Sequence, residues 1–226
     1  MTPQAIQLGL LGAALVWWSF QLGGRGLWLL WLAIDFLIIS GAYCAKWHRV
    51  FGKRRDGTLP LWSWILFLPY HALNTLLWTL ARLISREPAY NVVGDKLVLS
   101  HRLLGNELGG PYANYVDLTV EFQEPRAARM LEGYIGVPTL DASAPSLTTL
   151  HHAIQSLKPG LTLVHCAQGH GRTGLFALVV LLAKGGVNSV SEGLAVLQSA
   201  RPAIRLNARQ LQRAHEFERQ LRDRHA

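Results

Sequence analysis

The chain has 226 residues, half of them hydrophobic and only 16% charged, with a mean hydropathy of +0.18. These values exclude a disordered chain, which is poor in apolar residues and rich in charge, and they are high for a purely soluble protein. The net charge of +8 does not point to nucleic acid, because no zinc-ligand spacing and no basic region with heptads accompany it. Two cysteines, Cys44 and Cys166, are too few for a secreted disulfide scaffold, so we expect a reducing compartment.

Composition divides the chain into two parts. All eight Trp residues lie between Trp17 and Trp78, and only Asp35 and Asp56 of the fourteen acidic residues precede Glu87. The first part also holds a basic run directly after an apolar stretch, made of Lys46, Arg49, Lys53, Arg54 and Arg55. Basic residues at such a place meet anionic lipid headgroups and set membrane topology.

Two apolar runs of eighteen residues, 5–22 and 27–44, are separated by a short glycine-rich turn. Each helix would be about 27 Å long, just enough for the hydrocarbon core of a bilayer. A signal peptide is disfavoured, because the first run lacks a basic start and a second run follows at once. We predict a transmembrane hairpin whose turn is flanked by interfacial aromatic rings: Trp17, Trp18, Trp28 and Trp31.

Asp35 lies midway along the second run, where a charge is costly. It could be a proton or ion site, or a hydrogen-bonded side chain that ties two helices together. We favour the tie, because a single acid makes no relay.

A third apolar stretch, 59–83, carries polar residues from His71 onward at three- and four-residue steps, so they share one helical face. Such a helix suits the membrane surface or a domain groove better than a full span. We therefore predict a hairpin over 1–45, a basic loop and an amphipathic or membrane-associated helix over 46–88, and a soluble domain over 89–226. With two spans, the positive-inside rule places the basic loop and the C-terminal domain in the cytoplasm of a multi-pass membrane protein.

The third region has the pattern of an α/β domain. Three short apolar runs predict strands, 96–100, 115–120 and 161–166. Helices are predicted behind capping residues at Ser146, at Ser189 with Glu192, and at Asn207 with Gln210, and over the apolar run 175–184. Strands that alternate with helices indicate a mainly parallel central sheet flanked by helices.

The segment 164–174 follows a predicted buried strand and opens a predicted helix. A strand that turns through glycines into a helix presents backbone N–H groups at the positive end of the helix dipole, which is an anion site. Cys166 begins the loop, where that potential favours a thiolate, and Arg172 ends it with a planar fork suited to two oxygens of a tetrahedral oxyanion. The loop thus offers a nucleophile, an amide cradle and a clamp for phosphoryl transfer.

This loop resembles the signature loop of the cysteine-based protein tyrosine phosphatases, in the form His-Cys-x-x-Gly-x-x-Arg-Thr-Gly. The matching residues are His165, Cys166, Gly169, Arg172, Thr173 and Gly174. The resemblance extends more loosely over 89–221, the size of a dual-specificity phosphatase domain, and implies that fold with no metal or cofactor.

The resemblance also implies roles for individual residues. Cys166 would attack phosphorus, Thr173 would hydrogen-bond the thiolate and ease its departure, and His165 would brace the loop. The phosphate oxygens would be held by the Arg172 side chain and by the backbone of Ala167, Gln168, Gly169, His170, Gly171 and Arg172. The His170 side chain could meet the substrate or point to solvent.

A general acid is needed to protonate the leaving oxygen. The resemblance implies an Asp on a loop upstream of the cysteine, and Asp141, in the loop-like segment 137–145, is our first candidate. Asp117 is the rival, but it lies within a predicted strand. Gln210 could orient the hydrolytic water or only complete a helix cap.

The sequence therefore predicts a membrane-anchored phosphomonoesterase of the dual-specificity type, which contacts membrane lipids. Its substrate could be a phosphoprotein or a phospholipid head group. The alternative from another class is a non-catalytic phosphate-binding module tethered to the membrane.

Overall fold

A computed structural model describes residues 3–225 of the chain. The residues group into two compact units whose segments interleave along the sequence. The helical unit holds the segments up to Arg54, Thr58–Arg86 and Val120–Gln123. The α/β unit holds Arg55–Gly57, Glu87–Thr119 and the segment from Glu124 onward.

The helical unit contains four α-helices and a short 3₁₀ turn at Gly23–Gly26. The α-helices are α1 (Pro3–Gln21), α2 (Leu27–Ala45), α3 (Leu61–Leu66) and α4 (Leu68–Ile84). Helices α1 and α2 pack closely through small residues: a Cβ on Gly12 would lie 2.9 Å from the Leu37 side chain, and the Ser40 hydroxyl donates to the Ala5 carbonyl at 2.7 Å. The predicted hairpin of helices is present.

Within residues 3–225, Gly23–Ala45 is the one helix that is long and apolar enough to cross a membrane. Helix α1 does not meet the same criteria of length and apolar composition. Insertion of the hairpin as two spans therefore stays a prediction.

Asp35 lies on α2 and is fully buried. Its Oδ2 accepts a hydrogen bond from the backbone N–H of Tyr70 at 3.1 Å. Tyr70 is in the first turn of α4, where backbone N–H groups have no partner within the helix. Asp35 thus caps α4 from a neighbouring helix, which is the tie that the sequence favours over an ion site.

The segment Val120–Gln123 packs within the helical unit although the residues on both sides of it belong to the α/β unit. The Phe122 ring lies 5.7 Å from the Trp78 ring, and Gln123 Oε1 accepts from the Leu59 N–H at 3.1 Å. These contacts fix the segment against α4 and the chain just before α3.

The α/β unit is built on a five-stranded sheet with the order β1-β2-β5-β3-β4. Its strands are β1 (Tyr90–Val93), β2 (Leu97–His101), β3 (Asn114–Thr119), β4 (Tyr134–Thr139) and β5 (Thr162–Cys166). All neighbours are parallel except β1, which pairs antiparallel with β2. The predicted α/β fold with a mainly parallel sheet is confirmed, and its three predicted strands are the three central ones.

The two edge strands were not predicted. Strand β4 takes residues 137–139, which the sequence assigns to the loop before Asp141, so that part of the loop prediction is wrong. Gly136 and Pro138 look like strand breakers, yet Pro is tolerated on an edge strand, where one row of N–H groups has no strand partner. A Cβ on Gly136 would lie 2.9 Å from the Arg55 carbonyl oxygen, which explains the small residue there.

Five helices complete this unit: α5 (Arg126–Arg129), α6 (Leu147–Gln155), α7 (Gly171–Ala183), α8 (Val190–Ala200) and α9 (Ala208–His225). Helix α7 is almost wholly buried, as its apolar sequence predicts. The predicted caps are present: Ser146 accepts from Thr149 N–H, and Ser189 accepts from Glu192 N–H. The sheet and α7 together place the β5–α7 loop at the carboxyl end of the central strand.

His71 makes the stability of the helical unit sensitive to acid. Burial lowers its pKa to about 4, an effect partly opposed by a hydrogen bond to the Glu121 backbone and by the Glu121 charge. Below pH 6.5 the unfolded chain binds a proton that the folded chain does not, so the free energy of unfolding falls as the pH drops from about 6.5 towards 4.

We expect a loss of roughly 1–3 kcal/mol over that range. Trp fluorescence in detergent micelles measures it selectively, because all eight Trp residues lie in the helical unit. The His71→Gln variant should lose this pH dependence, whereas His152→Gln, at an exposed position of α6, should keep it. An unchanged slope in His71→Gln would contradict the assignment.

Candidate active site

The loop between β5 and α7 surrounds a buried thiol. Cys166 ends β5 and is 3% exposed. Its Sγ accepts a hydrogen bond from the Gly169 N–H at 3.3 Å. Gly169 has a φ of +75°, and a Cβ there would lie 2.6 Å from the Ser100 carbonyl oxygen. Both constraints require glycine at this position. The conformation that glycine permits directs the Gly169 amide towards the thiol.

Arg172 lies in the first turn of α7 with its guanidinium buried. Its Nη1 donates to the carbonyl oxygens of Thr139 at 2.9 Å and Leu118 at 3.4 Å. Its Nη2 lies 3.1 Å from Asp141 Oδ1. The guanidinium is therefore held at the carboxyl ends of β3 and β4.

Asp141 lies two residues after the end of β4, and 71% of its side chain is exposed. The next residue, Ala142, has a φ of +51°, a conformation that costs a non-glycine residue about 1 kcal/mol or more. The Asn207 side chain holds this turn by donating to the Ala142 carbonyl at 2.7 Å. The turn therefore places a carboxylate at the open side of the Arg172 guanidinium.

Gln210 stabilises the same turn from α9. Its Nε2 donates to the Ser143 carbonyl at 3.1 Å, and its Oε1 accepts from the Asn207 N–H at 3.2 Å. Asn207 Oδ1 accepts from the Gln210 N–H in return, which completes the cap of α9. Of the two roles open to Gln210, the structure shows the contacts of the capping role.

The rival carboxylate, Asp117, is fully buried and engaged. Its Oδ1 accepts from the N–H and the hydroxyl of Thr119 at 2.8 and 2.7 Å, and its Oδ2 accepts from the Tyr134 hydroxyl at 2.6 Å. Burial and the Asp117 charge raise the pKa of the Tyr134 hydroxyl, which keeps that hydroxyl a donor. These contacts give Asp117 a structural place in the sheet.

Thr173 is fully buried in α7. Its hydroxyl oxygen has no hydrogen-bond partner among the residues that the structure describes. Its predicted role at the thiolate stays a prediction.

Sequence reasoning missed Glu124, which is 1% exposed. Its Oε1 accepts from Arg102 Nε at 2.8 Å, and its Oε2 lies 3.7 Å from His165 Nε2. The Arg102 backbone N–H in turn donates to the Ala167 carbonyl at 3.2 Å. Glu124 thus binds Arg102, which bonds the residue after Cys166, and lies beside His165, the residue before it.

Asp117, Glu124 and His165 form the one cluster of possible metal ligands in residues 3–225, with their donor atoms within 4.8 Å of one another. The carboxylate oxygens of this cluster already accept hydrogen bonds from Thr119, Tyr134, Arg102 and Tyr115. A cation would have to displace those donors. We therefore assign the cluster to the support of the loop.

The His170 side chain pairs with an acidic residue from a distant part of the sequence. Its Nε2 lies 2.8 Å from Glu87 Oε2, and the same carboxylate oxygen lies 2.9 Å from Arg201 Nη2. Arg201 Nη2 also donates to the Gln168 carbonyl at 3.2 Å. Contact of the His170 side chain with substrate stays a prediction. Since Glu87 lies 83 positions before His170, no local signal could have revealed their pairing.

Comparisons with known proteins agree with this geometry. A profile of the "Tyrosine phosphatase family" matches residues 112–189. Sequence comparison with curated proteins gives no match.

Solved structures share the fold. PTPMT1 in complex with PI(5)P is 19% identical with a TM-score of 0.56, over 62% of this chain and 100% of that one. Human DUSP28 is 19% identical with a TM-score of 0.52, over 59% of this chain and 99% of that one. Tk-PTP in its active form is 20% identical with a TM-score of 0.53, over 58% of this chain and 97% of that one.

The α/β unit therefore has the fold of these phosphatase structures. The profile covers only part of the unit, and the solved structures share its fold.

The Glu124→Gln substitution should weaken the support of the loop. It leaves the Arg102 guanidinium without its buried counter-charge, which typically costs about 3–5 kcal/mol. We expect a lower free energy of unfolding for the α/β unit and an altered rate of Cys166 alkylation by iodoacetamide, measured in a Cys44→Ser background. Glu132→Gln changes an exposed carboxylate and is the matched control. Equal stability and equal alkylation in both variants would refute the role of Glu124.

Proposed function

We propose that the chain is a membrane-anchored, cysteine-dependent phosphomonoesterase of the tyrosine or dual-specificity type. The observation that carries this proposal is one arrangement: a thiol at the positive end of α7, with the Arg172 fork and the Asp141 carboxylate 3.1 Å apart. A nucleophile, an oxyanion clamp and a proton donor are the groups that phosphate ester hydrolysis needs.

In the first step, the Cys166 thiolate attacks phosphorus, so the S–P bond forms as the bond to the leaving oxygen breaks. Asp141 gives its proton to that oxygen, and an alcohol leaves. The loop amides and Arg172 hold the other phosphate oxygens, which compete with Asp141 for the Nη2 donor.

In the second step, water attacks phosphorus and the S–P bond breaks. Asp141 accepts a proton from the water, and the Thr173 hydroxyl donates to the departing thiolate. Inorganic phosphate is released, and both groups return to their starting states. His165 supports the loop from beneath.

The surface of the helical unit supports membrane anchoring. Outside that unit, the exposed large hydrophobic side chains among the described residues are only Tyr90, Val92, Leu104, Met130 and Val196. Within it, α1 and α2 expose Leu10, Phe20 and Trp28 by 66, 73 and 75%. A surface of this kind is stable in lipid rather than in water. We propose that α1 and α2 form a two-span hairpin and that the basic run 46–55 keeps the catalytic domain on the cytoplasmic side.

A phospholipid head-group phosphatase is the second candidate. The structure of PTPMT1 that shares this fold contains PI(5)P. A membrane anchor raises the effective concentration of the domain towards lipid substrates. Against this, no Lys stands beside Cys166 in the loop. A tethered module that binds phosphate without turnover is the non-catalytic alternative.

Phosphate release by the full chain in mixed micelles tests the proposal. A phosphotyrosine peptide and phosphatidylglycerol phosphate are compared as substrates. We expect Cys166→Ser to abolish turnover, because no nucleophile remains, and Cys44→Ser to leave it unchanged. The better substrate distinguishes the two enzymatic candidates. Binding without turnover by the unmodified chain would favour the non-catalytic module.

Asp141→Asn should lower kcat by roughly 10²–10⁴-fold, because the leaving oxygen loses its proton donor. The descending, alkaline limb of the pH–rate profile should disappear with it. Asp117→Asn should instead lower the unfolding temperature and keep that limb, since Asp117 is bound within the sheet. Asp95→Asn, in an exposed turn, is the control for the substitution itself. A descending limb that survives in Asp141→Asn would assign the acid elsewhere.

A further inference from the structure

In α3 and α4, buried positions include polar side chains and the most exposed positions are apolar, the reverse of a surface helix in water. Ser63 and His71 are 0 and 3% exposed, so polar side chains face inward. Leu61, Leu83 and Ile84 are 73, 76 and 78% exposed, so large apolar side chains face outward. A surface helix in water shows the reverse arrangement, with its apolar stripe towards the core.

Several inward polar groups have partners within the helical unit. Ser63 Oγ lies 3.4 Å from His71 Nε2, and Asp35 accepts from the Tyr70 N–H. These contacts pair Ser63, His71 and the first turn of α4 within the unit, whereas the buried Asn74 Nδ2 has no partner among the described residues. What the outward face requires is an apolar surrounding.

We propose that the outward face of α3 and α4 lies in the plane of the membrane, at the boundary between lipid headgroups and acyl chains. Two observations select a lipid surface as its occupant. Trp62 and Trp64 are exposed on α3, and amphipathic indole rings favour that boundary. Arg86 follows the carboxyl end of α4, is exposed, and suits anionic headgroups. This inference goes beyond the proposed function, because it requires neither catalysis nor a particular substrate.

The geometry of the two helices fits this placement better than a span. Phe67 separates them with φ of −99° and ψ of 23°, so the axis is interrupted. Helix α4 has 17 residues, which is about 25 Å and short of the hydrocarbon core. Neither helix is a candidate span by length and composition. An interfacial helix buries one face to a constant depth along its length.

Fluorescence quenching by lipids measures that depth. Ala72, Leu76 and Leu83 are exposed and lie within about 40° of one another around α4. Each is changed to Cys, one at a time, in the full chain with Cys44→Ser and Cys166→Ser, and labelled with an environment-sensitive dye. The vesicles contain phosphatidylcholine and phosphatidylglycerol with a quencher at a shallow or a deep acyl position.

We expect all three labels to be quenched equally and by the shallow quencher. Leu37→Cys, on α2, gives the deep reference, and Val196→Cys, on α8, should show no quenching. A depth that changes steadily from position 72 to 83, about 16 Å along the axis, would overturn the proposal in favour of a span.

Unquenched labels on α4 with deep quenching at position 37 would also overturn it, since a protein partner or a second copy would then cover this face. Absence of quenching at position 37 as well would refute the hairpin anchor together with this proposal. The two failures are therefore distinguishable.

Discussion

The buried guanidinium of Arg172 connects the separate parts of the candidate site. It belongs to α7, yet it bonds the last residue of β4 and the end of β3, and it pairs with Asp141. A planar group with several donors in fixed directions can satisfy all of these partners only in one arrangement. This one side chain therefore helps to fix the relative position of α7, the sheet and the Asp141 turn. The same donors would receive the phosphate oxygens, so support and binding share a single group.

Around that group, the loop is held by contacts that come from distant parts of the chain. Glu124 accepts a hydrogen bond from Arg102 and lies 3.7 Å from His165 on one side, and Glu87 pairs with His170 and Arg201 on the other. Burial lowers the pKa of Arg201, and the Glu87 charge opposes that effect, so this carboxylate stabilises the charge of a buried guanidinium. A loop of small residues has little packing of its own. Charged partners outside it supply the rigidity that an oxyanion cradle requires.

The structural features that were predicted correctly from the sequence are those that depend on short-range patterns of residues. Capping residues, the apolar central strands and the glycine-bounded loop all carry short-range signals, and the structure has them. Strand β4 was missed because Gly136 and Pro138 break the local pattern, while its edge position tolerates both. The pairing of Glu87 with His170 was missed because it joins residues far apart in sequence. The sequence predicted a polar face on α4. It could not show that this face turns inward, because that depends on the surrounding solvent and on the contact of Asp35 with Tyr70.

The segment Val120–Gln123 packs with the helical unit, although the chain on both sides of it belongs to the α/β unit. Strand β3 supplies Leu118 to Arg172, and the next four residues then pack with α4 before Glu124 returns to the loop support. Phe122 and Glu121 have their partners, Trp78 and His71, in the helical unit. Removal of the helices would expose this apolar ring and leave the segment between two site residues without its contacts. The packing of this segment therefore depends on the helices, although its chain neighbours β3 and Glu124 belong to the α/β unit.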